Sequence, residues 1–144
     1  MMNKLFEMKN ISKLIALSFL VFSIRSCEKD DGCDGGTGGK NSLKVYLKHH
    51  SKIIPPHANY PDTLFIKYGS SELPGTSPSD FDNYVVNSDT TIDFFSVPNL
   101  KCGDYYLYGV GWDAAISQRV KGGVPVTIPD NDAEVSVNVP VTED

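Results

Sequence analysis

Residues 43–48 read Leu43-Lys44-Val45-Tyr46-Leu47-Lys48, and the alternation in this stretch decides the fold class. Successive side chains on a strand point to opposite faces, so Leu43, Val45 and Leu47 share one face while Lys44, Tyr46 and Lys48 share the other. The pattern returns at Leu64, Ile66 and Tyr68, beside Phe65 and Lys67. Further strands are expected at residues 91–95, 104–112, 117–121 and 133–139, with Val135, Val137 and Val139 on a common face of the last. Clusters of Gly, Pro, Asn and Asp separate these segments at the spacing of a sandwich. No stretch beyond residue 26 reads as a substantial helix. The expectation is an all-β chain: a single small antiparallel β-sandwich over residues 42–142, about the size of one common domain.

The segment before it has a different character. Lys4, Lys9 and Lys13 precede an apolar run, residues 14–22, that ends at Ser23-Ile24-Arg25-Ser26. A basic start, a short apolar core and a small residue before a cut are the plan of a helical signal peptide over residues 1–26. The run is about half the roughly 20 residues that a membrane-spanning helix needs. Ile24-Arg25-Ser26-Cys27 resembles a bacterial lipobox, with Arg25 where that pattern usually has a small residue. The resemblance implies that Cys27 takes a diacylglyceryl group and that the chain is held on a membrane by lipid. Cys27-Glu28-Lys29-Asp30-Asp31 is similar to the tether start of Bacteroidetes-type surface lipoproteins, which implies an outer-membrane, surface-exposed location. Residues 27–41, rich in Gly and Asp, read as a flexible tether. They are no phosphate loop: Asn41 follows Gly39-Lys40 where a Ser or Thr is required, and Asp34 stands where the first Gly belongs.

Charge excludes some partners. Removing residues 1–26 leaves 9 of the 13 basic and 17 of the 18 acidic side chains, a net of −8. Nucleic-acid binding depends on Lys and Arg neutralising phosphates, so no nucleic-acid partner is expected. An anionic membrane surface would not hold such a chain by charge either, which leaves the lipid as the anchor. With Cys27 assigned to lipid, Cys33 and Cys102 remain, and a disulfide or two free thiols both fit an exported protein.

Residues 91–95, then Val97-Pro98-Asn99-Leu100, then Gly103-Asp104-Tyr105-Tyr106-Leu107, together resemble the prealbumin-like (transthyretin-like) sandwich of carboxypeptidase regulatory-like domains. Asn99, Leu100, Gly103, Tyr105 and Leu107 stand at that family's recurring turn phrase, with Cys102 where proline is common. The resemblance implies a non-catalytic scaffold or binding module, with no catalytic residue and no cofactor.

The search for chemistry gives little. His49, His50 and His57 lie close in sequence, but adjacent strand residues face opposite ways, so His49 and His50 are not expected to share a metal. A small metal-dependent envelope enzyme using His49 and His57 is the rival reading. Asp80, Asp82 and Asp130-Asn131-Asp132 read as turn formers, since no calcium-loop frame surrounds them. The aromatic segment 105–112 is the more distinctive feature. It places Tyr106, Tyr108, Val110 and Trp112 on one face, and Tyr105, Leu107, Gly109 and Gly111 on the other. The first set is expected to fill the core, with Trp112 emerging at the strand end. Were it exposed, Tyr106, Tyr108 and Trp112 would offer a surface to a sugar or a partner protein. A long connection between Gly69 and Ser88, expected to lack regular structure, carries Phe81 and Tyr84 as further candidates for that surface. The resulting expectation is a lipid-anchored envelope protein whose sandwich binds a protein, or less readily a glycan.

Overall fold

The computed structural model describes residues 32–143. The expected signal peptide and Cys27 lie outside the described residues. Among the described residues nine strands follow in order: β1 (Thr37–His49), β2 (Lys52–Ile53), β3 (Asp62–Tyr68), β4 (Asn83–Asn87), β5 (Phe95–Leu100), β6 (Gly103–Asp113), β7 (Gln118–Ile128), β8 (Glu134–Pro140) and β9 (Thr142–Glu143). They form two sheets. In one, β1 is central, with β5 and the short β2 along one side and β8 on the other; the second runs β4-β3-β6-β7-β9. All pairings are antiparallel except β1 with β8, which is parallel from Ser42↔Glu134 to Lys48↔Pro140, so the sandwich is mixed rather than wholly antiparallel.

The alternation in residues 43–48 explains the packing. Leu43, Val45 and Leu47 are buried, and they meet Leu64, Ile66, Tyr105, Leu107, Val120 and Ile128 from the other sheet in one core. Each fully buried aliphatic side chain of this kind contributes roughly 2 kcal/mol relative to exposure. The aromatic strand takes the phase opposite to the expected one. Tyr105 and Leu107 point inward, and Tyr106, Tyr108, Val110 and Trp112 lie on the outer face. The glycines are the reason. A Cβ at Gly109 would collide with Leu47 Cδ2, and one at Gly111 would crowd Ile54 Cδ1 and Asp62 Oδ1. The inner face of β6 therefore needs small residues opposite β1, while the bulky rings must face out.

Other boundaries move for local reasons. The folded body begins before residue 42. Cys33 is disulfide-bonded to Cys102, Gly35 N–H donates to Cys102 O at 3.0 Å, and Lys101 N–H donates to Gly36 O at 2.9 Å. Asn41 is buried, donating from Nδ2 to Leu100 O at 3.4 Å and accepting Ala133 N–H on Oδ1 at 3.1 Å. The segment expected to be a free tether up to residue 41 is thus part of the sandwich from Cys33 onward. The long connection after Gly69 also has structure: a 3-10 turn (Pro78–Asp80), in which Asp80 accepts Ser77 N–H, and then the edge strand β4. Asp82 fastens this segment to β3 by accepting Tyr68 N–H at 2.8 Å and pairing with Lys67 at 3.0 Å. The strand expected at residues 91–95 starts only at Phe95, because Asn87 and Asp89 hold the preceding residues in side-chain-bonded turns. At the other end β7 is longer than residues 117–121 and includes Pro125, which lies beyond the two residues that β9 covers, where a missing N–H costs no ladder bond.

Candidate functional site

The outer face of the five-stranded sheet is built by the even-numbered residues of β6 with their cross-strand neighbours. Tyr108 lies opposite Phe65 of β3, and Phe65 lies opposite Tyr84 of β4. Phe81, carried in by the segment that Asp82 fastens, stacks on Tyr108 at 5.7 Å between ring centroids and tilts against Phe65 at 5.4 Å. Tyr108 is thereby covered, whereas Tyr84, 6.2 Å from Phe65, is 63% exposed. A second group sits farther along β6. Tyr60 stacks on Trp112 at 4.2 Å, and His57 leans on Tyr60 at 5.3 Å. The loop that carries them is closed by Tyr60 N–H donating to His57 O. Tyr106 is half-buried, opposite Pro125 on β7. Of the residues expected to form a binding surface, Tyr84 is open, Tyr106 and Trp112 are partly covered, and Phe81 and Tyr108 form the base. Exposed Val86 on β4 and Ile92 after it extend the apolar surface beyond Tyr84.

A different cluster closes the end of the sandwich where β1, β6 and β9 finish. His49 is 4% exposed. Its Nδ1 is 2.7 Å from Asp113 Oδ2 and its Nε2 is 2.9 Å from Glu143 Oε2. His49 belongs to one sheet and the two acids to the other, so the three side chains clasp the sheets together. Asp113 is itself fixed, since its Oδ1 accepts Ala115 N–H at 2.8 Å. Glu143 arrives because the chain crosses between sheets after β8, with Val141 N–H donating to Lys48 O. The hydrogen bond to Asp113, seconded by that to Glu143, raises the His49 pKa above its ordinary value. The bond to His49 lowers that of Asp113; Glu143 is lowered by its own backbone N–H and then by His49. All three shifts favour the charged forms, an imidazolium between two carboxylates, over the neutral ones. A cleft of about 390 Å³ opens beside it, walled by His50, Lys52, Ile53, Pro55, Ala114 and Ile116.

His50 overturns the expectation that it faces away from His49. It has φ 47°, followed by Ser51 at 66°, and this left-handed turn folds its ring onto His49, with centroids 4.1 Å apart. His57 does not join them, being engaged with Tyr60. Asp62 is the other acid at this end. It is buried, accepts Trp112 N–H at 3.2 Å, and burial pushes its pKa up to about 6. The sequence reading missed Asp113, Glu143 and Asp62 as site residues. A signal existed for one of them: Asp62 is in phase with Leu64 and Ile66 and so places a carboxylate on an inward position, whereas Asp113 becomes inward only once the phase of β6 is known. Glu143 gave none, because its position depends on the crossing at Val141.

Two groups of described residues bring metal-type donors together: His49, His50 and Glu143, and Cys33, Cys102 and Asp130. The second is spent, since its two sulfurs are bonded to each other. The chain matches no family model, no curated protein and no solved structure.

Proposed function

We propose that this chain is a lipid-anchored protein of the cell envelope, held through Cys27 at the outer membrane, whose β-sandwich is a non-catalytic module binding a protein partner. The observation that carries the binding reading is the outer aromatic face, above all Tyr84 standing open beside Val86 and over the Phe65–Phe81–Tyr108 base. Exposed rings on a rigid sheet lose little entropy on binding, and tyrosine and tryptophan are enriched where interfaces concentrate their energy. A protein suits this surface better than a sugar. Tyr60 and Trp112 stack on each other, as do Phe81 and Tyr108, so one face of each ring is already taken, and aliphatic Val86 and Ile92 extend the patch.

The anchoring reading rests on the residues around Cys27 together with one geometric consequence. The folded body starts at Cys33, six residues after Cys27, and six residues reach at most about 20 Å. The tether is therefore shorter than residues 27–41 suggest, and the disulfide end of the sandwich would stay close to the bilayer. The prealbumin-like resemblance agrees with a binding module, and its turn phrase forms the β5–β6 connection at that same end.

Crosslinking on intact cells tests both parts. Partners captured by the native chain are expected to be lost from Tyr84→Ser, with folding unchanged; capture that is equal in the variant would refute the surface. Cys27→Ala should leave the membrane fraction, and retention there would refute the lipid anchor.

A further inference from the structure

The clasp end carries an inference that goes beyond the binding reading and does not depend on it. We propose that His49, His50 and Glu143 form a binding site for a zinc-class divalent cation, with Asp113 as the residue that positions His49.

The geometry is nearly that of a coordination sphere. One nitrogen from each histidine and one Glu143 oxygen all lie within 4.8 Å of one another. Ligand atoms around tetrahedral zinc, each about 2.0–2.1 Å from the ion, sit about 3.3 Å apart. His49 Nε2 and Glu143 Oε2, at 2.9 Å, already have close to that separation. His50 is exposed, and the site requires its side chain to turn until its nitrogen reaches that separation. Its left-handed backbone is what makes this available, since an extended strand would have sent the ring to the opposite face.

The partner of the other ring nitrogen supports the assignment. A metal-bound histidine commonly gives its second N–H to a carboxylate, which fixes the tautomer and the ring plane. Asp113 accepts from His49 Nδ1 at 2.7 Å and is itself held by Ala115 N–H, so the Nε2 side is aimed at Glu143. Cation binding breaks the Nε2–H bond, releases that proton to solvent and places the Nε2 lone pair on the ion; Asp113 keeps the Nδ1 proton as its hydrogen-bond donor. Two imidazole nitrogens and one carboxylate oxygen suit zinc and its borderline neighbours rather than calcium or magnesium. Three protein ligands leave a fourth position for water, and both histidines line the cleft.

The test uses the full-length chain in detergent, stripped with chelator and titrated calorimetrically with Zn²⁺, then with Co²⁺ followed by its visible absorption. One equivalent is expected, with the intense bands of a tetrahedral cobalt centre. His50→Ala and Glu143→Gln alter more exposed residues, so they should keep the fold, and each should weaken binding at least tenfold. Asp113→Asn should weaken it by 10- to 100-fold. His57→Ala should leave it unchanged. The thermal midpoint should rise with Zn²⁺ in the native chain and not in His50→Ala. Absence of a saturable single equivalent would overturn the proposal, as would equal affinity in the native chain and in both the His50 and Glu143 variants.

Discussion

The two ends of this sandwich are closed by opposite means. At the end where β1 begins, the closure is covalent and backbone-based. Cys33 is bonded to Cys102, and the Tyr105 hydroxyl accepts Gly36 N–H at 2.9 Å while lying 2.7 Å from Lys101 O, to which it donates. Gly103 sits at φ 130° against the Cys33–Gly35 backbone, where any Cβ would collide. At the end where β1 finishes, closure depends on ionisable side chains: His49 between Asp113 and Glu143, with Asp62 buried nearby beneath Gly111. The first closure responds to reductant and is indifferent to mild changes of pH. The second responds to protons, and by the inference above to metal, but is indifferent to reductant. A single small core thus has two ends that answer to different chemical conditions.

The strongest way to break the comparison is to open the covalent end. The bond joins residues 69 apart. Chain-entropy reasoning assigns a loop of that size about 4 kcal/mol of stabilisation, a large share of what a domain of this size possesses. Cys33→Ser combined with Cys102→Ser should lower the urea midpoint by a corresponding amount at every pH between 5 and 8, and reductant should do the same to the native chain. A loss below about 1 kcal/mol would mean that the backbone bonds at Gly35 and Gly36 close that end without the disulfide.

Next in size is Asp62. Its folded pKa, about 6, lies above its ordinary value of 3.8, so the folded state holds the proton more tightly across that interval. Its contribution is therefore fully favourable below 3.8 and is lost as pH rises to about 6, where ionisation leaves a carboxylate in the core. Asp62→Asn keeps an oxygen for Trp112 N–H and removes the titration. It should make stability gain on the native chain by roughly 2 kcal/mol between pH 4 and 7, read from urea midpoints across that range. A pH profile parallel to that of the native chain would show that Asp62 is not the buried acid.

His49 acts in the adjoining window. Its folded pKa is raised, so its contribution is complete below its ordinary value of 6.5 and is lost as pH climbs through the higher folded value. Asp113 and Glu143 have the opposite sign: their contribution is complete above their ordinary carboxylate values and disappears as pH falls through the lowered ones. The shifts describe the same bonds from both partners and count once. His49→Gln should therefore flatten stability against pH above 6.5 while leaving the response to reductant unchanged. A native chain equally stable from pH 6 to 9, in chelator, would contradict a charged clasp.

How much of this was legible in the sequence follows from the same contrast. Strand period is a local property, so Leu43 to Lys48 announced their strand and their buried face, and the all-β sandwich followed. The phase of residues 105–112 was not legible, because the choice between rings and glycines depends on how closely β1 approaches, and Leu47 supplies that information from another sheet. The residues before 42 looked like linker because glycine-rich composition is common to free tethers and to backbone packed against backbone. His49 was visible as a candidate, but its acids come from 64 and 94 residues away, and only the chain crossing at Val141 delivers the second. Composition thus identified the covalent end's cysteines, whereas the ionic end had to be assembled by topology.

The smallest effect sharpens the comparison from within the covalent end. The Tyr68 hydroxyl is buried without a hydrogen-bond partner among the described residues, and its ring meets Tyr105 edge to face at 5.8 Å. A polar group taken from water and left unpaired costs free energy, while the ring itself adds apolar burial. Tyr68→Phe keeps the ring and removes the unpaired oxygen, so the variant should be more stable by up to about 1 kcal/mol. The increment should be the same at pH 5 and pH 8, because no titrating group at that end takes part in it. It should also survive reduction, since Tyr105 retains its bonds to Gly36 and Lys101. A loss of stability on removing the hydroxyl would instead mean that Tyr68 is bonded through water, and that this end, too, has a polar component to its closure.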